Sequence, residues 1–77
     1  MNLHDIQVST YSGYKADERP LRFVFKGKTH TIKEIITQTY EEIRGKWLRR
    51  VYDIKTDEGL TFKLLYDGNQ DRWFLEE

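Results

Sequence analysis

The chain has 77 residues, enough for one domain and too few for two, so residues 1–77 form a single domain. Thirteen basic residues balance thirteen acidic ones, which argues against the overall positive field of a nucleic-acid-binding domain and leaves self-association open. The absence of cysteine excludes a disulfide scaffold, thiolate zinc ligands and a cysteine nucleophile. There is no apolar run of roughly 18 residues and no signal-like N-terminal segment, so composition predicts a soluble cytoplasmic protein without a membrane partner.

The chain begins with a predicted strand and a loop. Ile6 and Val8 alternate with polar residues, which indicates a strand over about 4–11. The polar segment 12–19 follows and ends at Pro20, the only proline, as is typical of an exposed loop.

A hairpin comes next. Leu21, Phe23 and Phe25 alternate with less apolar residues and predict a second strand. Lys26 and Gly27 can form a two-residue turn. That turn sets a register of three pairs: Phe25 with Lys28, Phe23 with His30, and Leu21 with Ile32.

The segment 32–43 is compatible with two structures. Its apolar residues fall at helical spacing and would form one stripe on a helix. Most of its apolar residues and threonines are β-branched, however, which favours a strand. We predict a bent strand with a bulge at Ile35-Ile36, followed by a long strand over 46–56. A helix over about 33–43 is the alternative.

The last third of the chain predicts its own register, because apolar residues alternate with polar ones in three segments between Tyr52 and Leu75, and two turns, at 57–59 and 67–72, interrupt the alternation. Asp57-Glu58-Gly59 suits a three-residue hairpin loop with Gly59 in the left-handed region. The resulting pairs on the apolar face are Ile54 with Phe62, Tyr52 with Leu64, Leu64 with Leu75 and Tyr66 with Trp73. On the other face the same register sets Asp53 against Lys63, Lys63 against Glu76, and Asp67 against Arg72. A shift by one residue would move every aromatic ring to solvent.

Six strand-like segments in a short chain predict a mainly β fold: a small, strongly bent antiparallel sheet or partial barrel of five to six strands built from hairpins. If 33–43 is helical, the fold is α+β, with that helix packed on the sheet. A barrel of this size leaves little interior for a substrate cavity.

The order of these landmarks resembles a family of small bacterial domains without an assigned function. The matching residues are Arg19-Pro20-Leu21-Arg22-Phe23, Gly27, Ile32-x-x-Ile35-Ile36, Tyr52-x-Ile54-x-Thr56-x-x-Gly59-x-x-Phe62-x-Leu64-x-Tyr66-Asp67 and Trp73-x-Leu75. They span nearly the whole chain, and Tyr40 stands where the family pattern has tryptophan. The resemblance implies a neighbourhood of translesion-type, Y-family polymerase-like proteins, and it supplies no catalytic residues.

The strongest candidate for a binding site is a basic segment interrupted by a tryptophan. It consists of Arg44, Lys46, Trp47, Arg49 and Arg50. Cations beside an aromatic ring are the combination with which single-strand binders contact phosphates and stack bases. Alternation places Trp47 and Arg49 on the face opposite Tyr52. In the alternative, which we favour, Trp47 covers a barrel end and the arginines pair with carboxylates at positions 41, 42 or 53.

The sequence offers little for catalysis. It has no nucleophile motif and no glycine-rich phosphate loop, and its two histidines are not at metal-ligand spacing. We therefore predict a non-enzymatic accessory or protein-interaction module without cofactor or metal. Its partner is another protein, which pairs with an edge strand at 6–10 or 73–77 if the barrel is open. Weak binding of single-stranded nucleic acid by the 44–50 segment is the alternative function.

Overall fold

The computed structural model describes residues 2–11, 19–43 and 47–77, with the backbone alone at 42, 43, 47 and 48. This part of the chain forms six strands and contains no helix. The strands are β1 (Leu3–Tyr11), β2 (Arg19–Phe25), β3 (Lys28–Ile43), β4 (Trp47–Thr56), β5 (Thr61–Asp67) and β6 (Arg72–Glu76). The mainly β prediction is confirmed. With no helix among the described residues, none there has the length and apolar character needed to cross a membrane.

The strands close into a barrel in sequence order, and every neighbouring pair is antiparallel. Two strands make closure possible because each serves two neighbours in turn. Residues 3–6 of β1 pair with β6, and residues 7–11 pair with β2. In β3, residues 28–31 pair with β2, whereas the residues from Ile32 onward pair with β4.

Segment 32–43, for which the sequence allowed two structures, is a bent strand. The predicted bulge is confirmed and the helical alternative is wrong. The β3–β4 register shifts between Ile35 and Thr37, which leaves Ile36 as the extra residue. A second shift, between Ile32 and Glu34, was not predicted and leaves Lys33 unpaired. Bulges bend a strand and increase its twist. The bulge at Lys33 lies next to the point where β3 changes its pairing partner from β2 to β4.

Every predicted pair of the C-terminal meander is confirmed on both faces of the sheet. The β4–β5 turn has the predicted chemistry: Gly59 has φ +86°, and its N–H donates to the Thr56 carbonyl at 2.9 Å. Thr56 N–H in turn donates to the Leu60 carbonyl at 2.8 Å. Turn geometry and side-chain alternation thus select the same register.

The first hairpin is confirmed over its turn end only. Lys26 and Gly27 both have positive φ, at 53° and 76°, as a two-residue turn matched to strand twist requires. Phe25 pairs with Lys28 and Phe23 with His30, but the predicted pair of Leu21 with Ile32 is wrong. The ladder ends one residue earlier, because the bulge at Lys33 turns Ile32 towards Thr56 of β4. The predicted loop at 12–18 lies outside the described residues, and residue 19 already belongs to β2.

The core fills the barrel interior, on what we call the inner face of the strands. Its buried apolar cluster comprises Ile6, Phe23, Tyr52, Ile54, Leu64 and Leu75. Trp73 is half-buried against this cluster, with its ring 5.5 Å from that of Tyr52. On the opposite, outer face, Leu65 is also buried, between Val51 and Phe74 in the strand register. Strand β5 therefore has a buried residue on each face, Leu64 on the inner face and Leu65 on the outer face.

Candidate interaction surface on strand β3

The structure describes the side chains of two of the five candidate residues of the 44–50 segment, and it does not bring those two together. Arg44 and Lys46 lie outside the described residues, as does the side chain of Trp47. Arg49 and Arg50 are described and sit side by side on β4, so their side chains project to opposite faces. Their environments have little in common.

Arg49 is neutralised on the outer face. Its Nε donates to Glu41 Oε1 at 2.8 Å, and Nη2 lies 2.8 Å from the same oxygen. The two residues are direct cross-strand partners. This agrees with the alternative in which the arginines pair with nearby carboxylates. Such a surface pair contributes about 0.2–1 kcal/mol and leaves little charge for a phosphate.

Arg50 lies on the inner face among aromatic side chains. Its guanidinium carbon is 5.9 Å from the centre of the Tyr40 ring and 5.5 Å from that of Tyr66. Partial burial alone would lower the pKa of Arg50, but a hydrogen bond with Tyr52 and the neighbouring phenol groups outweigh it, so the pKa is raised. None of the carboxylates whose side chains are described lies within ion-pair distance of Arg50.

The aromatic rings around Arg50 support one another. Trp73 packs against Tyr66 at 5.0 Å between ring centres, and the Tyr66 hydroxyl donates to Asp71 Oδ1 at 2.5 Å. Tyr40, by contrast, is 54% exposed and accepts a hydrogen bond from Gln38 Nε2 at 2.8 Å. The result is a half-buried cation in an aromatic recess that opens to solvent on the β3 side.

Sequence reasoning missed the two tyrosines of this recess. The signal for Tyr66 was present, because the correct β4–β5 register, continued by two residues beyond the pair of Tyr52 with Leu64, pairs it with Arg50. The signal for Tyr40 was not. Its pairing with Arg50 continues the β3–β4 register from the pair of Ile43 with Trp47, and no β3–β4 register was predicted.

The strand beside this recess has a free edge. From Ile32 onward, β3 pairs with β4 alone among the described strands. All six residues at 36–41 are exposed, although successive side chains of a strand point to opposite faces. Both faces and one backbone edge of β3 are therefore accessible over this stretch.

A cleft lies where β2 and β3 separate. It has a volume of about 330 Å³. Its walls come from the start of β2 and the bulged part of β3: Arg19, Pro20, Leu21, Ile32, Lys33, Glu34 and Ile35. The free edge of β3 leads directly out of this cleft, so the surface continues from the cleft to Glu41.

The other end of the barrel carries both histidines, each beside a carboxylate that a lysine also contacts. His4 Nε2 is 2.9 Å from Glu77 Oε1, and the hydrogen bond from His4, with the charge of Lys26, lowers the pKa of Glu77. His30 is buried, stacked on Phe23, and its Nδ1 makes no hydrogen bond within the described part, although Glu58 Oε1 is 3.4 Å away.

Glu58 is held mainly by a lysine. Lys28 Nζ donates to Glu58 Oε2 at 2.6 Å, and this bond, with the charges of Lys28 and His30, lowers the pKa of the carboxyl group. Nowhere in the described ranges do three histidine, aspartate or glutamate side chains converge as metal ligands would. The contacts of Glu58 with Lys28 and His30 connect the β4–β5 turn to the β2–β3 hairpin.

Comparisons with protein-family models, with curated proteins and with solved structures found no match to this chain. The resemblance to the small bacterial domain family therefore stays a prediction. The features of the molecule that bear on its function are the surface of β3 and the recess around Arg50.

Proposed function

We propose that this chain is a non-enzymatic, cytoplasmic accessory domain that binds another protein by strand addition at the free edge of β3. The observation that carries the proposal is the exposure of residues 36–41 on both faces of a strand that, within the described chain, has a neighbour on one side only.

The physical basis is the hydrogen-bonding capacity of an unfilled edge. A strand with one neighbour leaves alternate N–H and C=O groups free, and an extended segment of another protein can take them up. The bulges at Lys33 and Ile36 interrupt this edge on the cleft side, as bulges do in natural sheets that avoid uncontrolled pairing. The bulge-free stretch is 37–43, which is long enough for a partner strand of ordinary length.

The partner's position differs from the one expected from sequence. The strands predicted as edges, at 6–10 and 73–77, lie at the seam of the barrel, where β1 pairs with β6. Pairing between residues 3–6 and 73–76 occupies that side of β6 and of the first part of β1, whereas residues 7–11 of β1 pair with β2 alone among the described strands. We place strand addition on β3 because residues 36–41 there are all exposed, whereas Val8 and Thr10 of β1 are half-buried.

A second candidate function is weak binding of single-stranded nucleic acid. Arg50 between Tyr40 and Tyr66 favours it, since guanidinium and aromatic groups together form stacking platforms for bases. Against it stand the balanced net charge and the neutralisation of Arg49 by Glu41. We rank it second for these two reasons.

Site-specific photo-crosslinking in cells tests the first proposal. A photoreactive residue replaces Gln38, which is exposed on the free edge, and the matched control replaces Val24, which is equally placed mid-strand on β2 but has β1 and β3 on its two sides. We expect the photoreactive residue at position 38 to cross-link to one partner segment. The residue at position 24 should give no cross-link to that segment. Cross-links of the same segment at both positions would contradict docking on the edge.

Amide hydrogen exchange then tests the binding mode. In the free protein, amides over 37–41 should alternate between protected and unprotected, whereas β5, with a neighbour on each side, should be protected throughout its centre. The purified partner segment should protect the unprotected set. If it protects none of them, strand addition is wrong. Binding that instead requires an oligonucleotide and weakens steeply with salt would favour the second candidate.

A further inference from the structure

We infer that the partner segment carries an acidic side chain, which enters the recess at the open side of the barrel and pairs with Arg50. This inference rests on the proposed function, since it takes the edge of β3 as the docking site. It adds the chemistry by which the partner is recognised.

The first step is geometric. A segment added to β3 would place every second side chain on the inner face, beside Gln38 and Tyr40. Directly opposed side chains of neighbouring strands have their Cβ atoms roughly 5 Å apart. Arg50 is the β4 partner of Tyr40, one strand further in, and its guanidinium leans over the Tyr40 ring. A Glu or Asp side chain opposite Tyr40 can therefore reach the guanidinium across the edge of that ring.

The second step is electrostatic. Arg50 is charged and partly buried, and the described side chains place no carboxylate against it. The aromatic faces of Tyr40 and Tyr66 stabilise the cation without neutralising it. An ion pair formed in such a partly desolvated position is stronger than one at the open surface. An incoming carboxylate would supply a countercharge that none of the described side chains supplies.

The third step is the contrast between the two faces. On the outer face at the same height of β3, Glu41 is already paired with Arg49. A charged partner residue on the outer face would lie beside an ion pair with no net charge, so neither a positive nor a negative side chain would bind much more strongly there. The preference for acid should therefore be confined to alternate positions of the partner, those that face the recess.

The test uses the full chain, labelled with ¹⁵N, and three short acetylated peptides in which threonine alternates with glutamate, glutamine or lysine. We expect the glutamate peptide to shift the amides of 37–41 and the Arg50 side-chain Nε–H. Its affinity should exceed that of the glutamine peptide by about fivefold at low salt, the effect of one moderately strong ion pair. The lysine peptide should bind more weakly than the glutamine peptide.

Two variants locate the effect. Arg50→Gln should abolish the preference for glutamate, so that the glutamate and glutamine peptides bind this variant equally. Arg49→Gln, the matched control on the outer face, should keep the preference. The ¹⁵N spectrum of each variant shows whether the barrel is intact.

The possible failures are distinguishable. If the three peptides shift the edge amides equally, or if Arg49→Gln removes the preference, the acidic partner is wrong and strand addition stands. If no peptide shifts the edge amides at concentrations where NMR detects millimolar binding, the inference and the proposed docking mode are both wrong. A glutamate preference that survives Arg50→Gln would also overturn the inference.

Discussion

Two isoleucines at opposite extremes of burial provide a direct test of the packing. Ile54 is fully buried opposite Phe62, whereas Ile36, the bulge residue of β3, is 50% exposed. Truncation of Ile54 to alanine removes about three carbon groups, each contributing ~0.8 kcal/mol of transfer free energy. With the cavity left behind, the loss in the free energy of unfolding should reach about 3–4 kcal/mol. Ile36→Ala loses at most half of the transfer free energy, about 1 kcal/mol, and leaves no enclosed cavity.

Urea denaturation followed by circular dichroism measures both losses. For a domain this small, an m-value of ~1 kcal/mol/M turns them into midpoint shifts of about 3–4 M for Ile54→Ala and about 1 M or less for Ile36→Ala. Unchanged m-values would show that only stability had changed. Equal shifts for the two variants would mean that Ile36 is buried as deeply as Ile54. That result would refute the exposed bulge position of Ile36.

Three further predictions concern single contacts. Trp73→Ala should cost about 3 kcal/mol by thermal denaturation, since the ring packs on Tyr52 and Tyr66; an unchanged melting temperature would make it a surface residue. Gly59→Ala should cost roughly 1–2 kcal/mol through its φ of +86° alone, because a Cβ there meets no atom within 4 Å; Gly59→Asn should cost less, and equal costs would contradict this. Glu58→Gln should destabilise at neutral pH, because the folded-state pKa of Glu58 is lowered and its contribution is present above the ordinary carboxyl pKa. That contribution is lost as pH falls through the folded-state pKa, so parent and variant should converge in acid; a constant difference would exclude the linkage.

Local patterns explain why much of the fold was predictable. The register of Ile54 with Phe62 follows from alternation and from a turn that needs glycine at position 59, and both signals are contained within a few residues. The bend at Ile36 was also accessible, because β-branched residues in 32–43 disfavour a helix. The bulge at Lys33 was not, since nothing local distinguishes a residue that pairs from one that is skipped.

The candidate site was harder to predict because its parts come from three strands. Side-chain alternation along β4 places Arg49 and Arg50 on opposite faces of the sheet, yet the prediction from the sequence treated segment 44–50 as one basic patch. Tyr40 reaches Arg50 through the β3–β4 pairing, for which no register was predicted, and Tyr66 reaches it through the β4–β5 pairing. Closure between β1 and β6 joins residues from the two ends of the sequence, and no short pattern encodes such a pairing.

That seam has a consequence for how the barrel assembles. The β3–β4, β4–β5 and β5–β6 ladders join strands that follow each other in sequence, whereas Leu3 must find Glu76 at the far end of the chain. Loop-closure entropy makes such non-local pairings slow to form. The hairpins should therefore form first and the seam last. In the native state, the β1–β6 ladder should open more often than the central meander, so transient exposure of strand edges, and with it the risk of domain swapping, is concentrated there.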